Sequence, residues 1–209
     1  MKKLALVTTI IFFSLKAWSV HLVGGEIRVR FLGAFNYEIK FLCYYDFSGT
    51  LALPPATIPL SIYERGNVSN VVSNLTLPVT SDSVAINYNC GTTIYDFGIA
   101  SYTDTIVLSP GTFNAPSGYI LVADKGPGPS SQNFTGDVVN IYTLIPPVTN
   151  AAQIINSSPI SRPFTTEFIC MNENIQIDQK AIDPDGDSLA YGFFTPASSG
   201  ALNAGLIEP

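Results

Sequence analysis

Residues 25–31 read GEIRVRF and residues 37–43 read YEIKFLC, and these two stretches decide the fold. In the first, Ile27, Val29 and Phe31 fall on one face, and Glu26, Arg28 and Arg30 on the other. In the second, Tyr37, Ile39, Phe41 and Cys43 alternate with Glu38 and Lys40. Period two is the side-chain repeat of a strand, and apolar residues on alternate positions mark a sheet with one buried face. The link at residues 32–36 contains Gly33 and is short enough to be a hairpin connection.

Working outward, further strands are expected at residues 58–64, 68–77, 84–88, 104–108, 119–123 and 138–145. The turn clusters LPPAT, ERGN, TSDS, SPGTFNAPSG and KGPGPSSQNFTGD separate them. Helical period is missing from every window of useful length. Short strands punctuated by Pro and Gly predict an all-β sandwich or a partly open barrel, and a β-sandwich-like first domain is expected over residues 20–145. Residues 146–162, PPVTNAAQIINSSPISR, are polar and proline-punctuated, as in an interdomain linker. A second β pattern follows in TEFIC, IQIDQ and the run at residues 189–194. A sandwich wants ~100 residues, so residues 163–209 are expected to be the leading part of a domain in a longer polypeptide.

Residues 1–19, MKKLALVTTIIFFSLKAWS, have a basic start, a short apolar run and small residues at positions 17 and 19. That is the layout of a secretory signal peptide cleaved after Ser19. The competing reading is an uncleaved anchor, but the apolar run is well short of the ~20 residues that a spanning helix needs. Cleavage removes Lys2, Lys3 and Lys16 and no acid, lowering the formal charge from −6 to −9. So acidic a surface repels phosphate backbones, and nucleic acid is not an expected partner. The expected setting is secreted or at the cell surface, with no transmembrane span in the mature chain.

Cys43, Cys90 and Cys170 would then lie where disulfides persist. Cys43 and Cys90 share the first domain and are the expected pair, leaving Cys170 over.

Histidine is nearly absent. His21 is the only one, next to the presumed mature terminus, which is a poor place for a triad that needs a held imidazole. The only tryptophan, Trp18, falls within the presumed signal, which weakens a sugar-stacking platform. These features weigh against an enzyme and against the rival reading of a secreted carbohydrate-binding or carbohydrate-active domain.

The one concentrated constellation is residues 181–194, AIDPDGDSLAYGFF. Asp183, Asp185 and Asp187 present three carboxylates at alternate positions, and Gly186 permits a sharp turn. Calcium wants six to eight oxygens on a flexible frame. The loop is not an EF-hand, because Ser188 and Phe194 stand where that motif needs glycine and an acid. A calcium site here would have to borrow ligands, for example from Glu167, Glu173 or linker carbonyls. The alternative is an Asx turn in which the aspartates bind backbone amides and no metal.

The same stretch resembles the A-x-D-x-D-G-D-x-L-x-Y signature of bacterial cadherin-like and PKD-like repeats. In cadherin repeats an Asp-x-Asp so placed contributes to calcium between successive domains, and Asp183 and Asp185 match it. The segment HLVGGEIRVRFLGAFNYEIKFLCYYDF is similar to the opening of long Bacteroidetes surface proteins. His21, Val23, Gly24, Gly25, Glu26, Ile27, Leu32, Gly33, Tyr37, Ile39, Tyr45 and Asp46 match in order. The pattern's arginine before Asp46 is missing, and Phe47 stands where it has cysteine. Such proteins carry a gliding-motility-associated C-terminal domain and leave the cell by type IX secretion. The resemblance implies a non-enzymatic module for adhesion or gliding motility, associated with the outer membrane and stabilised by calcium. Its partners would be extracellular ligands such as glycans or other adhesins.

Overall fold

The computed structural model describes residues 21–46, 54–90, 93–123, 141–150, 154–162, 174 and 178–192. The presumed signal peptide, Cys170, Glu167, Glu173 and TEFIC lie outside them, as does most of IQIDQ. All regular structure among the described residues is β-strand.

The opening stretches form β1 (His21–Gly33) and β2 (Asn36–Asp46), paired antiparallel with Val29 opposite Ile39. On β2 Tyr37, Ile39, Phe41, Cys43 and Tyr45 are all buried, and towards the end Tyr44 on the other face is buried as well. Their turn is built without glycine at its centre, since Ala34 and Phe35 have φ of 49° and 64°. The Asn36 amide donates to the carbonyls of Gly33 and Ala34, which holds that left-handed pair in place.

β3 (Thr57–Glu64), β4 (Asn67–Cys90), β5 (Thr93–Val107), β6 (Tyr119–Ala123) and β7 (Ile141–Ile145) complete one sheet in the order β1-β2-β5-β4-β3-β6-β7. β4 turns this sheet into a sandwich. Its residues 67–78 pair with β3, and its residues 79–90 pair with β5. A register shift between Val79 and Ser81 marks where it passes from one layer to the other, and a second, between Val84 and Ile86, lies within its pairing with β5. Strands that switch sheets at bulges are the usual corners of such packings.

TSDS was expected to break the chain, yet it lies inside β4. Thr80 donates its hydroxyl to the Ser101 carbonyl at 3.0 Å, and Ser83 donates to that of Ile99 at 3.5 Å. The polar side chains that suggested a turn are spent on the neighbouring strand.

The two layers share one core. Ile39, Phe41 and Tyr102 from one side meet Leu60, Ile62, Leu77 and Leu121 from the other. β6 is buried on both faces. The outermost strands also come together: a methyl group on Gly25 of β1 would sit 2.7 Å from Cδ1 of Ile141 on β7 and 2.8 Å from the Leu42 carbonyl oxygen. Glycine at this position allows the sheet to approach closure as a barrel.

Residues 160–161, within the segment expected to be a linker, are in regular structure. Ile160–Ser161 forms a short strand, β8, paired with Ala181–Ile182, β9. The described part of the strand expected at residues 189–194, residues 189–192, is not in a strand.

Candidate functional site

The acidic loop begins where β9 ends. Asp183 Oδ1 accepts the amides of Asp185 at 2.9 Å and Asp187 at 3.1 Å. The Gly186 amide donates to the Asp183 carbonyl at 3.3 Å, and Gly186 has φ of +84°. Locally this is an Asx turn, in which a carboxylate replaces missing backbone partners. Among the described residues, no group of three or more His, Cys, Asp or Glu side chains converges on a possible metal position.

Asp185 faces outward from this turn and seizes the linker. Its Oδ2 accepts the Ser157 amide in a very short bond, and its Oδ1 accepts the Ser157 hydroxyl at 3.4 Å. Ser157 is only 5% exposed. Its Oγ also accepts the Phe31 amide at 3.3 Å, so a chain of hydrogen bonds runs from β1 through Ser157 to the Asp185 carboxylate. A charged acceptor at the end of such a chain strengthens it.

Ser158 completes the contact. Its amide donates to the Val29 carbonyl at 2.7 Å, and its Oγ accepts the Val29 amide at 3.0 Å. Two further ties flank the pair. The Tyr37 hydroxyl donates to the Ile154 carbonyl at 2.7 Å, and Arg28 Nη2 donates to the Ser161 carbonyl at 3.4 Å. Arg28 is aimed by a bidentate pair with Glu26, at 2.7 and 2.9 Å. That hydrogen bonding raises the guanidinium pKa above its usual value. Nearby, Asp178 is engaged by Arg162 at 3.2 Å and lies 3.9 Å from the Lys180 ammonium.

Of the residues singled out in the sequence, Asp183, Asp185 and Asp187 thus share one loop. Their observed partners are amides and a serine hydroxyl. Ser157 and Ser158, which join this loop to the first sheet, carried no signal beyond their place in a proline-punctuated segment.

The expected Cys43–Cys90 bridge needs correction. Cys43 is a free, buried cysteine. It stands opposite Ala100, which in turn stands opposite Asp82 of β4, while Cys90 lies at the far end of β4 opposite Thr93. Spacing along an extended strand, about 3.3 Å per residue, keeps the two cysteine backbones too far apart for a disulfide.

No protein-family model, curated protein or solved structure matches this chain. Fold and junction define it as an all-β, sandwich-like protein in which Ser157 and Ser158 are hydrogen-bonded to an outer strand. No helix among the described residues is long and apolar enough to cross a membrane.

Proposed function

We propose that this chain is a non-enzymatic module of a secreted or surface-anchored protein acting in cell adhesion or gliding motility. One observation carries the reading: the linker and the acidic loop are fastened to β1 by Ser157, Ser158 and Asp185. A module in a surface fibre must pass force along the chain, and a docked linker passes it more stiffly than a free one. The resemblance of the opening segment and of the acidic loop to Bacteroidetes surface proteins with cadherin-like repeats supports the same reading. On a glycan array the mature chain should show no strong, selective sugar binding. Such binding would favour a carbohydrate-binding domain instead.

Calcium at Asp183, Asp185 and Asp187 extends the proposal. Asp183 commits Oδ1 to two amides and Asp185 commits both oxygens to Ser157. An ion would therefore have to draw Asp185 away from Ser157 or take water for the missing ligands. Extracellular modules bind calcium weakly, at roughly 0.1–1 mM. At a hundred times Kd, binding would stabilise the fold by about 2.7 kcal/mol. Melting temperatures in millimolar calcium and in excess chelator should differ for the parent and coincide for Asp187→Asn. An unchanged melting temperature in the parent removes calcium and leaves Asp183 as the cap of a turn.

A further inference from the structure

β1 is the first strand in the sheet order, and its only ladder partner is β2. Its outer edge therefore offers unpaired N–H and C=O groups at Val29 and Phe31. An uncovered edge of this kind is a template for pairing with another chain. Here it is covered. Ser158 exchanges two hydrogen bonds with Val29, in the manner of a one-residue bridge whose hydroxyl stands in for a carbonyl. Ser157 takes the Phe31 amide by its hydroxyl. Neither serine is part of a strand, so the edge is sealed by two hydroxyls and one backbone amide, and the sheet stops there.

We infer that Ser157 and Ser158 form a strap that blocks strand addition at β1, and that Asp185 is its latch. The latch acts from a distant part of the chain: Asp185 holds both the amide and the hydroxyl of Ser157 and orients that hydroxyl to accept from Phe31. Two observations support a seal over incidental packing. Both amides that β1 turns outward at this point find an acceptor, and Ser157 is buried although it lies in a polar connector. What the strap excludes is a second copy of this chain: β7 already closes on the Gly25 end of β1, so removing the strap bares the Val29–Phe31 end, an alternating stretch able to pair antiparallel with its own copy.

The test is amide hydrogen exchange on the mature chain in chelator, so that calcium plays no part. In the parent, Val29 and Phe31 should be protected. In Ser157→Ala/Ser158→Ala both amides lose their acceptors and should exchange at least tenfold faster, while the β6 amides of Leu121 and Val122 keep their protection. Light scattering should then show a mass that rises with concentration for the variant and stays constant for the parent. Should the double variant fail to fold, Asp185→Ala leaves the serines in place. It should speed exchange at Ser157 and Phe31 more than at Val29. Exchange at Val29 and Phe31 that is already unprotected in the parent overturns the strap. Exchange at Phe31 unchanged by Asp185→Ala overturns the latch. Faster exchange in the double variant without any rise in mass overturns the sealing role.

Discussion

Cys43 and Tyr45 point into the core from β2, and with Tyr102 of β5 they gather ionisable groups in an apolar setting. Each phenol has a partner. Tyr45 donates to Asp82, and Tyr102 donates to the Pro55 carbonyl at 2.9 Å. Burial pushes the Cys43 thiol from 9.0 up to about 12. It also pushes both phenols above their ordinary value of 10.0, with the Asp82 hydrogen bond adding to the shift at Tyr45. In the unfolded chain these groups ionise at ordinary values, so above them the unfolded state has shed protons that the native state retains. Their contribution is whole below about pH 8 and is lost as pH rises through the ordinary values toward the native ones. Urea unfolding at pH 7, 8 and 10.5 should show stability nearly level between the first two and lower at the third. A flat profile would mean that the three groups are not buried as described. The same burial makes Cys43 a poor nucleophile. With Cys90 and Cys170 replaced by serine, the native thiol should resist a disulfide reagent at pH 8 and react at once in denaturant.

Among the elements, the β1–β2 hairpin shows a sequence choice that the turn does not favour. Left-handed backbone at both central positions calls for Asn-Gly, and the chain has Ala34 and Phe35. Ala34→Asn should raise stability by about 0.5–1 kcal/mol in chemical denaturation. A loss would show that Ala34 has a contact worth more than the relieved strain. The alternation of β1 and β2 was legible because it depends only on neighbours in sequence. The continuity of β4 through TSDS was not, because Thr80 and Ser83 are satisfied by carbonyls of β5 that sequence cannot place. The run at residues 189–192 failed as a strand in the other direction. Tyr191 is largely exposed, and its hydroxyl accepts the Ala181 amide at 2.9 Å.

Across the whole molecule, one core joins the two layers, so no part of the sandwich should unfold alone. Leu77 is fully buried on β4 next to the crossover. Leu77→Ala should cost about 2–5 kcal/mol. Near-ultraviolet tyrosine dichroism and far-ultraviolet strand dichroism should still report a single transition, shifted together. Separate transitions would divide the layers into independent units.

The all-β class and the buried faces of β1 and β2 follow from the order of residues alone, because a strand's two faces alternate with each residue. The sequence also located the acidic loop and offered the Asx turn that Asp183 forms there, since three aspartates and a glycine in five residues need no partner to be noticed. Only the tertiary structure decided that β4 serves both layers, that Cys43 is free, and that Gly25 makes room for Ile141. It alone showed that Asp185 spends its carboxylate on Ser157 at the edge of β1. Each of these depends on which distant backbone lies alongside, and hydrogen-bond partners far apart in the chain leave no period in the sequence.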